Sequence, residues 1–306
     1  MAAPRGAEAP APARHDDAPR EAVAEVGRGD RGTVQAIVTG AGSSFYWALR
    51  LLPRQRREAM FAVYAFCRIV DDIADGNLSV DDKLAALAEW RAEVRRLFQG
   101  RPAHPVARAL AGPAARFGLH EEDFLAILEG MEMDASGRMV APSLLELELY
   151  CRRAAGAVGM LSASIFGLPR PEGRSLALSL GQALQYTNFL RDLADDAHRG
   201  RLYLHRELLE THGITTRAPM AVLDHPGLPA ACAELARMAE ERFNAALRVL
   251  KACPRKPSRP ARAILHLYRR LLRRLCLRGF DRARLSEPVR LGRVERPWIA
   301  LREWLA

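Results

Sequence analysis

Beyond an opening stretch of about 35 residues, apolar positions recur at separations of three, four and seven almost to the end of the chain. That is the period of one helical face. The clearest run is 54–75, where Met60, Phe61, Tyr64, Ala65, Cys67, Ile69 and Ile73 share the spacing. A shorter run, 44–52, stops at Pro53. The same reading predicts helices over 79–98, 104–117, 120–135, 143–166, 173–196, 226–251, 257–279 and 297–305. Between them stand breakers: Gly76-Asn77, Gly100 to Pro105, Gly118, Pro142, Pro169 to Gly173, Gly200, Pro226 to Pro229 and Pro254 to Pro260. No segment alternates with period two, and no 20–50-residue repeat is visible. The pattern is that of one all-α domain over 36–306. Residues 1–35, rich in Ala, Pro and Arg and without periodicity, read as a disordered tail.

Composition adds limits. A chain of 306 residues, 49% hydrophobic and 27% charged, has ample material for one large core. It has no run of eighteen uncharged apolar residues, so no transmembrane helix is expected. The N-terminal stretch lacks the apolar segment of a secretory signal. The five cysteines include no C-x-x-C pair, which fits a reducing cytosol better than a disulfide framework or a zinc site. Net charge is +10, but unevenly placed: residues 251–306 hold 16 basic and 4 acidic residues, while the rest is nearly neutral. Such an end attracts polyanions, among them nucleic acid, phosphorylated small molecules and anionic lipid.

Two segments carry chemistry. In Arg68-Ile69-Val70-Asp71-Asp72-Ile73-Ala74-Asp75, Asp71 and Asp75 are i and i+4, so their carboxylates leave one helix face a turn apart. Their apolar neighbours mark this as no ordinary solvated face. Hard oxygen ligands of this kind suit Mg²⁺ shared with a substrate phosphate, and Arg68 could hold that phosphate. In the second segment Asn188, Asp192 and Asp196 form an i, i+4, i+8 stripe of oxygen ligands, with Gln185 one turn earlier and Arg191 beside Asp192. One acidic pair alone would read as a solvated or capping feature. Two facing helices of this type would make a carboxylate cage for several Mg²⁺ ions, able to grip a diphosphate and draw it off as leaving group.

These residues bring a family into view. SSFYWALRLLPRQRREAMFAVYAFCRIVDDIAD (43–75) resembles the opening of squalene and phytoene synthases, and LGQALQYTNFLRDLADDAHRGRLYL (180–204) resembles their second aspartate motif. YCRRAAGAVG (150–159) is similar to their small-residue helix. Within the family, the wording around 42–75 and GMEMD (130–134) is most similar to the bacterial presqualene diphosphate synthases of hopanoid synthesis. The resemblance implies an isoprenoid synthase-type helical bundle around a deep central cavity, with the aspartate motifs facing each other at its mouth. Carried over by position, Asp71, Asp75, Asn188, Asp192 and Asp196 would bind Mg²⁺ and diphosphate, the four aspartates being the catalytic acids. Ser43, Ser44, Phe45, Tyr64, Arg68, Gln185, Asn188, Arg191, Tyr268 and Arg284 would contact substrate.

Some features keep two readings. The face made by Ala154, Ala155, Gly156, Ala157 and Gly159 fits close helix packing or a prenyl-tail tunnel. Arg199 and Arg201 around Gly200 fit a basic lid over the diphosphate or a solvated turn. The run Ile264 to Leu277 fits core packing with an arginine-rich outer face, or a membrane contact. Two positions depart from the family: Arg153 stands where a tyrosine near the reacting centre is usual, and His205 where proline commonly follows the GRxYL segment.

The implied reaction is Mg²⁺-dependent head-to-head condensation of two farnesyl diphosphates to presqualene diphosphate and pyrophosphate. It needs no NADPH, and no GxGxxG follows a strand here. The alternative is the full two-step reaction to squalene or dehydrosqualene, or phytoene synthesis from geranylgeranyl diphosphate. A nucleic-acid binder is disfavoured, because aromatics in the basic end are few and no zinc-finger, RRM or helix-turn-helix signature appears. No obligate protein partner is implied. A cytoplasmic location is expected, with peripheral contact at the inner face of an anionic membrane through the basic C-terminal segment.

Overall fold

The computed structural model describes residues 28–40, 49–292 and 295–305. Its helices are α1 (Arg28–Gly40), α2 (Arg54–Asp75), α3 (Val80–Phe98), α4 (Pro105–Phe117) and α5 (Glu121–Ala135). Then come α6 (Leu144–Cys151), a π-helical turn (Arg152–Gly156), α7 (Ala157–Phe166), α8 (Arg170–His198), α9 (Arg206–Thr211) and α10 (Pro219–Leu223). The last are α11 (Leu228–Ala252), α12 (Arg255–Arg278), α13 (Arg282–Leu285) and α14 (Glu295–Leu305). Among the described residues there is no strand, and no helix is long and apolar enough to cross a membrane.

The long helices fall where the periodicity places them, and local chemistry sets their ends. Ser79 caps α3 by accepting the Asp82 N–H, and Ser143 and Glu146 close a capping box on α6. Prolines that read as breakers lie inside helix starts. Pro171 and Pro257 occupy first turns, where an N–H has no intrahelical partner, although Pro260 is embedded a turn further into α12.

The tail ends earlier than its composition suggests. Residues 28–35 belong to α1, which buries Val34 and Val38 and anchors Asp30 on Arg108 at 2.7 and 3.1 Å. That anchor joins positions far apart in the chain, so a tail-like composition hides it.

The centre of the bundle is α8, which packs against α6, the π-turn, α7, α10, α11 and α12. On the other side α2 packs against α1, α3, α4 and α5. The helix α7 touches both α2 and α8, and so fixes the space between them. After α8 the chain turns at Gly200, whose φ of 77° is open to glycine at little cost. It is then pinned: the Leu202 N–H donates to Met139 and the Ala141 N–H to Leu202, both at 2.8 Å.

Candidate active site

The C-terminal turns of α2 and α8 carry the two aspartate motifs. Asp75 of α2 reaches across to the loop after α8, where it pairs with Arg199 at 2.8 Å and with Arg201. Arg201 also donates to the Ala74 carbonyl at 3.1 Å. The basic turn, although Arg199 and Gly200 are exposed, ties the second motif to the first. On α2, Arg68 lies 3.6 Å from Asp71 but binds Asp72 more closely, at 2.5 Å. On α8, Arg191 grips Asp192 through two contacts of 2.7 and 2.5 Å and is hydrogen-bonded to Tyr268 of α12.

Electrostatics show a mouth short of positive charge. Burial, then the neighbouring Asp75, push the Asp71 carboxyl up to about 6. Burial, then Asp192, push Asp196 up to about 7, with Asp134 and Asp75 adding to the repulsion. Carboxylates of α2, α5 and α8 thus repel one another across the mouth.

Asp134, near the end of α5, completes the group. It is buried and accepts hydrogen bonds from the Tyr150 and Tyr203 hydroxyls at 2.7 and 2.6 Å. Phe189 stacks on Tyr203 with centroids 4.4 Å apart. Burial holds the Asp134 carboxyl above the usual range, while Arg201 and the two tyrosines oppose that shift. The sequence displayed this residue within GMEMD but offered no reason to give it a role. Its partners, 16 and 69 residues away, supply one.

Below the mouth lies an apolar cavity of about 270 Å³. Tyr64, Cys67, Gln185 and Asn188 stand at its polar end, and Val63, Leu176, Leu180 and Ile264 are among its apolar walls. A second pocket of about 150 Å³ runs beside Arg68, Asp71, Ile127 and Met131. Tyr64, Cys67, Ala154 and Val158 line both, so the smaller pocket adjoins the cavity on the side of the first aspartate motif.

The small-residue face packs closely on its neighbours and, in part, lines the cavity. A Cβ on Gly159 would come within 2.9 Å of Ala177, one on Gly181 within 3.1 Å of Ala155, and one on Gly130 within 3.1 Å of Ala154. The helices therefore touch backbone to backbone, while Ala154, Ala155 and Gly159 also line the cavity. The π-turn at Arg152–Gly156 lies on this face, and such turns recur at functional sites.

The structure thus brings together Asp71, Asp75, Asn188, Asp192, Asp196, Tyr64, Arg68, Gln185, Arg191 and Tyr268. Arg284 is elsewhere: its guanidinium donates to the Arg278 carbonyl at 2.8 Å, roughly 15 Å along α12 from Tyr268. Ser43, Ser44 and Phe45 lie outside the described residues. Arg153 turns onto α5, pairing with Glu129 at 2.8 Å. His205 does not loosen the segment after the lid: it is buried and caps α9 by accepting the Leu208 N–H at 3.2 Å.

The donors fit a hard divalent cation. The Asn188 amide nitrogen donates to Gln185 at 3.0 Å, which leaves its oxygen buried and without a hydrogen-bond partner. Raised carboxyls beside an orphaned oxygen are what positive charge would relieve. Among the described residues no three His, Cys, Asp or Glu side chains converge on one point. An ion held here would complete its shell from water and substrate, as Mg²⁺ does with phosphates.

Comparison with known proteins agrees with this geometry. A squalene/phytoene synthase family model matches residues 38–295. The presqualene diphosphate synthase of Rhodopseudomonas palustris is 45% identical over 260 residues, covering 85% of this chain and 92% of that protein. That of Zymomonas mobilis is 42% identical over 270 residues, covering 88% and 91%. A crystal structure of a dehydrosqualene synthase with bound ligand superposes with a TM-score of 0.78 at 25% identity, covering 90% of this chain and 96% of the other. Two aspartate helices over an apolar cavity, with these matches across most of the chain, place it in the squalene/phytoene synthase family of prenyl-transferring enzymes.

Proposed function

We propose that this chain joins two farnesyl diphosphates head to head, giving presqualene diphosphate, pyrophosphate and a proton. The observation that carries the reading is the apolar cavity adjoining one acidic mouth built from both aspartate motifs, because the reaction must keep prenyl tails from water with their diphosphates beside the carboxylates. Its 45% identity to a presqualene diphosphate synthase supports the same product.

Asp71, Asp75, Asn188, Asp192 and Asp196 would hold Mg²⁺, which supplies Lewis-acid charge to the departing diphosphate. Arg68 and Arg191 stand beside those ligands as donors to phosphate oxygens. Arg199 and Arg201, bound to Asp75 in the free chain, would be available to phosphate oxygens where Asp75 holds the cation. The apolar walls align the tails and keep water from the allylic cation left at C1 of the first substrate. The C2–C3 double bond of the second substrate attacks that carbon, and loss of a proton closes the cyclopropane. The released pyrophosphate takes the proton, in keeping with a cavity and an adjoining pocket that no histidine lines among the described residues.

We read the reaction as ending there, without NADPH. The side chain at 153, committed to Glu129, offers no phenol to a second ionisation. The C-terminal segment adds peripheral contact with an anionic membrane on the cytoplasmic side. Turnover of farnesyl diphosphate with Mg²⁺, followed as pyrophosphate release, tests the chemistry. EDTA, Asp71→Ala and Asp192→Ala should each abolish it, and activity surviving all three would defeat the reading.

A further inference from the structure

The basic end of the chain is less free than its charge suggests. Arg270 and Arg274 of α12 both pair with Glu295 of α14, at 2.9 and 2.7 Å, and Arg269 is spent on Glu240. Arg282 pairs with Asp224 at 2.8 Å, and Arg262 and Arg278 donate to backbone carbonyls. These six arginines therefore hold the C-terminal helices together and to the bundle.

What they leave uncovered is apolar. Leu277 of α12 is 83% exposed, and Trp298 and Leu301 of α14 are 63% and 42% exposed. Among the described residues no other tryptophan stands so far into solvent. The helices run antiparallel: Glu295 sits against Arg270 and Arg274, and Glu303 lies 3.6 Å from His266. Ile299 and Glu303 face inward, so Trp298, Leu301 and Arg302 occupy the outer side of α14. On α12, Arg273 and Leu277 are one turn apart on the outer side, and Leu277 lies about 10 Å along the pair from the level of Trp298. Arg273 and Arg290 are exposed and have no ion-pair partner among the described residues.

The placement of this face matters. Gln185 and Asn188 of α8 share the main cavity with Ala261 and Ile264 of α12, and Arg191 meets Tyr268. The two helices thus run parallel, and the last turns of α12 stand level with the acidic mouth. The thickness of α12, roughly 10 Å, separates Leu277 from the site, and α14 adds its own thickness for Trp298 and Leu301.

We infer that the outer face of α12 and α14, centred on Leu277, Trp298 and Leu301 with Arg273, Arg290 and Arg302 around them, docks on an anionic lipid surface. This deepens the membrane contact proposed above by assigning it to named side chains, and it rests on that reading. The chemistry favours lipid over a folded partner. An indole and two leucines surrounded by guanidinium groups match a headgroup boundary, where apolar side chains dip into the acyl region and arginines meet phosphate. Substrate and product carrying long prenyl tails would then exchange with the bilayer beside the mouth.

Flotation of the full chain with phosphatidylcholine vesicles, with or without phosphatidylglycerol, tests this. The expected result is partitioning only where phosphatidylglycerol is present, weakening as salt rises. Arg273→Ser with Arg290→Ser should lower it roughly 30-fold, and Leu277→Ser with Trp298→Ser by at least about tenfold. Both double variants should retain turnover of detergent-dispersed farnesyl diphosphate, which shows that they fold. Equal binding to neutral vesicles, unchanged binding by the variants, or no binding would overturn the assignment. So would a dimer that Leu277→Ser with Trp298→Ser disperses, since the face would then belong to a second copy. Turnover is read separately on the same protein, so an inactive chain that floats would defeat the enzymatic reading alone.

Discussion

At the scale of single residues, the site gathers carboxyls that burial and mutual repulsion hold partly protonated, a state that a bound cation would reverse. Asp71 near 6 and Asp196 near 7 are carboxyls whose pKa is raised in the folded chain. Their contribution to stability is fully present below the unfolded value near 4 and is lost as pH rises through about 6 to 7. Binding of Mg²⁺ with pyrophosphate requires the ionised forms, so it must displace protons in that window. The rise in melting temperature on adding both should accordingly be larger at pH 8 than at pH 6; an equal rise at the two pH values would show that these carboxyls do not hold the metal. Asp134 is tested differently. Asp134→Ala leaves two buried tyrosine hydroxyls without their acceptor, at a cost of about 1–3 kcal/mol each, measurable by denaturant unfolding. Its absence from the residues legible in the sequence has a physical cause, since its meaning lies in Tyr150 and Tyr203, which only the fold brings to it. The ligand stripes, by contrast, are local: i, i+4 and i+8 spacing on one helix needs no tertiary information.

At the scale of helices, the long elements are legible because each buries one face, and the short ones are not. The turns α9, α10 and α13 owe their form to the loops they close, and α1 to a single ion pair and two valines. The π-turn carries no sequence signal of its own; one extra residue per turn shows only in the backbone. What the sequence does display there is small size, and the structure divides that property between packing and cavity. Gly159→Ala would place a methyl 2.9 Å from Ala177, forcing α7 from α8. A loss of about 1–3 kcal/mol is expected in thermal or denaturant unfolding. Ser162, on the same helix, lines the cavity instead. Ser162→Phe should leave stability near that of the parent while lowering turnover of farnesyl diphosphate at least about tenfold, through lost tail space. If both substitutions affected stability alone, the cavity would not be where the prenyl tail lies.

At the scale of the whole molecule, chemistry and charge are divided along the chain. The acidic mouth is assembled from the ends of α2, α5 and α8, while the excess of arginine lies in the final 56 residues, 251–306. Much of that excess proves structural, joining α12 to α11 and α14, which total charge could not reveal. The helical architecture and both aspartate stripes were legible in the sequence, because long helices encode them locally, whereas the facing of the two motifs was implied only by the family resemblance. The cavity was not legible, because residues of α2, α7, α8 and α12 make it together. The most direct measurement is product analysis: the purified chain with farnesyl diphosphate and Mg²⁺, with and without NADPH, then phosphatase treatment and mass spectrometry. Presqualene alcohol in both samples is the predicted result. Squalene formed only with NADPH, or phytoene formed only from geranylgeranyl diphosphate, would contradict it.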